Sequence, residues 1–272
     1  MNHRINVTAP VALHSPIVGR QTDMPAEMSG QSLVENFMAS MPERYRQEFG
    51  RTSARQHARI AAARGRHVIH ADLFSGKNAT GPGICVVGAD APGLLSVISS
   101  ALMLEGFDIT RADAYTRKTS CGEYEAVDLF WVRRSSRPEQ AAALGEADVS
   151  AVRATLRELL SNGIARQRLA AALPATSPGA SETSVRFRDL RGVPWVTLEL
   201  ESNDRPGLLA VVTAALTAAG VTIVASRVRT HGLRVHDYFD IIGADGKRPT
   251  GTGMQRIQLA VLTAVDGPSR GA

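Results

Sequence analysis

The sequence predicts an α+β fold: two copies of a βαββαβ unit with antiparallel sheets, preceded by a short helical segment. Three observations predict it. The stretch Gly88-Ala89-Asp90-Ala91-Pro92-Gly93-Leu94-Leu95 returns as Ser202-Asn203-Asp204-Arg205-Pro206-Gly207-Leu208-Leu209. Each copy follows a strand pattern and opens an amphipathic helix that a glycine closes, Gly106 in one and Gly220 in the other. After each glycine come a strand, a turn, a strand and a further helix, so both copies share one element order.

Residues 1–30 mix Pro, Ser, Thr and Gly without a period and read as a disordered tail. Residues 31–66 form a helical segment: Leu33, Phe37, Met38 and Met41 recur at helical spacing, and Pro42 opens a new turn. Ser53 caps a further helix that runs to Arg64 and stops at Gly65. The first repeat occupies 67–163. It has a continuous apolar strand at Ile84–Val87, a helix at Pro92–Glu105, a turn at Lys118–Glu123, a strand at Ala126–Phe130 and a helix at Asp148–Ser161. Ala, Pro and Ser mark residues 164–183 as a linker. The second repeat, 184–266, has an alternating strand at Trp195–Leu200, a helix at Pro206–Ala219, a strand at Val235–Phe239 and a helix at Gly253–Val265. Residues 267–272 are a tail. Each sheet needs one strand more. Val68–Phe74 and Ser184–Arg188 are the candidates, and Ser184–Arg188 either leads the second repeat or closes the first.

The composition, 44% hydrophobic and 21% charged, is that of a globular chain. No stretch has the roughly 20 apolar residues that span a bilayer, and Met1–Arg20 lacks an apolar core before a cleavage site. A cytoplasmic protein without membrane contact is expected. Cys85 and Cys121 are too few for a disulfide framework. The net charge of +5 is spread among acids with no basic block and few aromatics, which speaks against nucleic acid as a partner. His67 and His70 lack further ligands nearby, and His236-Asp237 lies on a strand where neighbours face opposite sides. Neither metal nor cofactor is expected.

The order of elements, with Asp-x-Pro-Gly-Leu-Leu at the first strand–helix junction, resembles the ACT domain, whose fold is ferredoxin-like. The segment Ala225–Gly232 through Val235-x-Asp237-x-Phe239 is similar to the C-terminal ACT pair of the PII-protein uridylyltransferase/uridylyl-removing enzyme. Met41-Pro42-Glu43-Arg44-Tyr45 and Gln56-His57-Ala58-Arg59 resemble the segment before that pair. That family's nucleotidyltransferase site needs an Asp-x-Asp, which this sequence does not contain, and its metal site has no counterpart here. The resemblance therefore implies the regulatory end of such an enzyme without its catalysis. It also implies an amino-acid ligand, with glutamine or a related signal of nitrogen status in first place.

The repeated motif suits such a ligand. Proline in the first helical turn costs no hydrogen bond, glycine admits a close approach to the backbone, and the helix N-terminus favours a carboxylate. Asp90, Asn203 or Asp204 would accept the ammonium. The resemblance places ligands at this junction and at the start of the second strand, usually between domains. The candidate binding residues are then Asp90, Pro92, Gly93, Leu94, Asp108 and Ile109 in the first repeat. In the second they are Asn203, Asp204, Pro206, Gly207, Leu208, Thr222 and Ile223, and this repeat is favoured because it offers both Asn203 and Asp204. Asp-x-Pro-Gly is also an ordinary turn signal. Two rivals therefore stand beside the sensor: a divergent or truncated uridylyltransferase regulatory subunit, and an assembly module without ligand. A homo-oligomer or a regulated protein partner is expected.

Overall fold

The computed structural model describes residues 30–75, 82–136, 144–161, 183–189 and 192–267. The expected tails and linker lie outside these residues, save Gly30, Thr183 and Gly267.

Three helices come first: α1 (Gly30–Ser40), α2 (Glu43–Glu48) and α3 (Arg51–Arg64). The first unit then runs β1 (Ile69–Ser75), β2 (Pro82–Ala89), α4 (Leu94–Leu104), β3 (Phe107–Lys118), β4 (Tyr124–Arg134) and α5 (Glu146–Ser161). The second runs β5 (Ser184–Arg188), β6 (Val196–Asn203), α6 (Leu208–Ala218), β7 (Val221–His231), β8 (Arg234–Gly243) and α7 (Gly251–Asp266).

All the described strands join one antiparallel sheet of eight, ordered β1-β2-β4-β3-β7-β8-β6-β5. Ser184–Arg188 pairs with β6, Val185 against Leu200, so it leads the second unit. The chain order of each unit is therefore ββαββα. The strand expected to close the unit comes from its front and fills the edge position beside the first core strand. Ser53 is no cap: α3 starts two residues earlier behind Gly50, and Ser53 is buried in its first turn.

The units meet where β3 pairs with β7, Asp113 opposite Arg227 and Ala112 opposite Val228. On one face α4 lies against α6, with the Ser99 and Thr213 hydroxyls 3.1 Å apart. These two residues are 114 positions apart, the same spacing that relates Gly93 to Gly207. Equivalent residues thus meet at the seam, and the two units are related by an approximate two-fold.

Packing differs between the faces. Ile84, Val86, Phe130, Leu198, Phe239 and Ile241 share one core with α4–α7. On the opposite face, Cys85, Val87, Leu129 and Trp131 are covered by Phe37, Met41, Tyr45 and Phe49 of the N-terminal helices. The described helices therefore cover the first unit's part of the sheet on both faces and the second unit's on one. The sequence carries the same contrast: β2 is a continuous apolar run, and β6 alternates.

Segment α2 also spans the seam. One Arg44 amino group donates to the Ala114 carbonyl at 3.2 Å and the Ser226 carbonyl at 2.9 Å, one from each unit. Glu48 accepts from Arg111, from Arg229 at 3.3 Å and from the Tyr115 hydroxyl at 3.1 Å. Asp113, fully buried, bridges Arg111 at 2.9 Å and Arg229 at 2.7 Å.

Candidate functional site

Each repeated junction folds the same way. Gly93 and Gly207 take left-handed conformations, φ 83° and 75°, just before α4 and α6. Leu94 N–H donates to Ala91 O at 3.1 Å, and Leu208 N–H donates to Arg205 O at 3.2 Å. With proline second and glycine third, these are type II turns. Pro92 and Pro206 therefore sit outside the helices, exposed, and not in the first helical turn as expected. Leu95 and Ser96 supply the next N–H groups of α4, and Leu209 and Ala210 those of α6, none with an intrahelical acceptor. Each junction is pinned by its own hairpin: Asp90 N–H donates to Tyr124 O at 3.1 Å, Asp204 N–H to Leu233 O at 2.8 Å.

Pairing of the units regroups the expected residues. Asp90, Gly93 and Leu94 of the first unit face Thr222 and Ile223 of the second across one cleft. Asp204, Gly207 and Leu208 face Asp108 and Ile109 across the other. Pro92, Asn203 and Pro206 lie outside both clefts, and Asn203 is a surface side chain accepting from Arg234 at 3.3 Å. A bulge falls between Ile223 and Ala225 in β7, and between Ile109 and Arg111 in β3, close to the clefts.

The two clefts are not equal. The first holds about 30 Å³ and the second about 10 Å³, room for roughly two water molecules and roughly one. In the second, Arg133 donates to Asp108 at 2.6 and 2.9 Å and to Asp204 at 2.7 Å, tying the units together. Burial raises the Asp108 carboxyl against the pull of that guanidinium. Asp204, expected to receive a ligand ammonium, is already occupied. In the first cleft Asp90 accepts, among the described residues, only the Thr116 hydroxyl, at 3.1 Å. Thr217 of α6 flanks Gly93: a Cβ added there would stand 3.2 Å from its Cγ2.

A buried carboxyl lies in each cleft. Asp128 lines the first and Asp237 the second, at matching places in the repeat. Burial raises both well above the ordinary carboxylate range, Asp237 to about 8, against hydrogen bonds from the Tyr115 and Arg229 backbones. These two and Arg133 were not among the candidates. The signal for the pair was an acid recurring in an otherwise apolar strand. Among the described residues no group of three or more His, Cys, Asp or Glu could hold a metal, and no helix is long and apolar enough to cross a membrane.

Residues 196–250 match the ACT domain family. The second repeat is an ACT domain. The first repeat, outside that match, has the same strand order and junction. It is similar to the bifunctional uridylyltransferase/uridylyl-removing enzyme of Phenylobacterium zucineum, 26% identical over 253 residues, 86% of this chain and 25% of that one. The enzymes of the same name from Nitrobacter hamburgensis and Rhodospirillum rubrum are each 32% identical, covering 68% and 59% of this chain and 20% and 17% of theirs. The chain spans a quarter or less of the length of these relatives.

Proposed function

We propose that the chain is a regulatory unit that binds a small amino-acid-like zwitterion between its two ACT units, at the cleft beside Gly93. What supports this is the cleft's composition. The free Leu95 and Ser96 N–H groups at a helix start suit a carboxylate, and Asp90 is within the same lining for an ammonium. The residues come from both units, so a ligand would shift the geometry between them by a coupling of about 1–3 kcal/mol. At about 30 Å³ the cleft must widen to admit even a small amino acid. That widening, a movement of α4 from α6, is the response a regulator would transmit. Glutamine is the first ligand to try.

The narrow clefts, and the Arg133 bridge across the second, favour one other reading: an assembly module whose units stay fixed. Calorimetric titration with the twenty amino acids separates the two. The sensor requires saturable heat from at least one, weakened by Asp90→Ala. Silence from all twenty overturns it and leaves the assembly module.

A further inference from the structure

The larger space lies on the other face. Where α2 meets the face of the second unit's sheet that no described helix covers, a concave corner of about 340 Å³ opens, an order of magnitude above the clefts and within the usual range of ligand pockets. Its two acids are already engaged: Glu199 pairs with Arg188 at 2.5 Å, and Asp240 accepts from the Thr197 hydroxyl at 2.7 Å. Arg44 is fixed by its two carbonyls and by Tyr115, over whose ring its guanidinium lies at 4.7 Å, while its Nε is buried without an acceptor. The Arg227 side chain has no hydrogen-bond or ion-pair partner among the described residues, and neither has the Tyr238 hydroxyl.

Glu199 Oε1 meets Arg188 only as an ion pair, outside hydrogen-bond geometry, and the side chains left without any partner among the described residues, Arg227 and Tyr238, are donors, on a site with three cations against two acids. We infer that this corner binds a small oxyanion, a carboxylate- or phosphate-bearing metabolite, with Arg227 as its main contact and Arg44 and Tyr238 beside it. An oxyanion supplies the acceptors these donors lack, and guanidinium forks match its geometry. An acidic polypeptide fits less well, because Glu199, Glu201 and Asp240 share this face and would repel it. The site goes beyond the amino-acid reading and does not depend on it, since the clefts open on the helix side of the sheet.

The test is calorimetric titration of the full chain with sodium phosphate and with sodium succinate, ionic strength held constant with sodium chloride. Saturable heat from at least one is expected, and which one responds distinguishes phosphate from dicarboxylate. Arg227→Gln should weaken binding at least about ten-fold with an unchanged circular dichroism spectrum, as befits a side chain without partners among the described residues. Arg186→Gln, an exposed change on the same face outside the corner, should leave affinity as it was. No saturable heat above the chloride control, undiminished binding in Arg227→Gln, or an equal loss in Arg186→Gln would each overturn the proposal. Amino-acid binding at the clefts should persist in Arg227→Gln, so the two readings fail separately.

Discussion

Replacing Arg133 by alanine attacks the bridge that joins the units at the second cleft. Its guanidinium lies between Asp108 and Asp204, whose side chains are 4% and 6% exposed while its own is 24% exposed. Without it, two nearly buried carboxylates from different units face each other unpaired. Removing one partner of a fully buried ion pair costs about 3–5 kcal/mol. Water reaching the arginine end relieves part of this, so we expect a loss of about 2–4 kcal/mol, or a drop in Tm on the order of 10 °C. Urea titration of four proteins measures it: the parent, Arg133→Ala, Asp204→Asn and the double variant. Neutralising Asp204 removes half the conflict, so Arg133→Ala should cost at least about 1 kcal/mol less in the Asp204→Asn background. Equal costs in the two backgrounds, or a single-variant loss below about 0.5 kcal/mol, would refute the bridge as a support of the interface.

Two further outcomes follow from the buried acids and from α2. Asp237 titrates near 8 in the fold, chiefly through burial, against 3.8 ordinarily. The folded chain therefore holds a proton that the unfolded chain has released, and between about pH 4 and 8 the residue's contribution to stability falls as pH rises, by up to about 1.4 kcal/mol per unit. Asp237→Asn should gain on the parent steadily across that window in denaturation at several pH values, and parallel curves would count against the assignment. Glu48→Gln removes the charge that holds Arg111 and Arg229 under α2. About 1 kcal/mol should be lost, with faster amide exchange in Glu43–Glu48, and unchanged exchange there would mean that α2 is held by its apolar contacts alone.

The repeat, its glycines and the two classes of periodicity were legible in the sequence because each depends on neighbours along the chain. Gly106 and Gly220 end their helices at φ 75° and 74°, as their position implies. The contrast between Ile84–Val87 and Trp195–Leu200 also held the information that the described helices cover the first unit's part of the sheet twice and the second unit's once. It takes the packed helices to see that reading. What the sequence could not supply is pairing at a distance. Whether Ser184–Arg188 leads or closes a unit depends on hydrogen bonds to Thr197–Glu201. The regrouping of Thr222 with Gly93, and of Asp108 with Gly207, depends on β3 meeting β7, for which no local pattern exists. Arg133 escaped notice for the same reason: its two partners are 25 and 71 residues away.

The approximate two-fold makes the inequality of the clefts informative. Asp90 and Asp204 occupy the same place in the repeat, and so do Thr222 and Asp108. Arg133 lies five residues beyond Asp128, and the corresponding step beyond Asp237 reaches Ile242. One cleft thus has an acid, a second acid and a cation that satisfies both. At the same places its counterpart has an acid, a hydroxyl and, among the described residues, no cation. The acids of the first combination are neutralised by the protein itself, and an entering zwitterion would have to displace a buried ion pair before gaining anything from the helix N-terminus. The second combination leaves Asp90 with a single neutral donor, so an ammonium would find an acceptor without breaking a salt bridge. That is the physical reason for placing the ligand beside Gly93 and not beside Gly207, the junction its sequence favours.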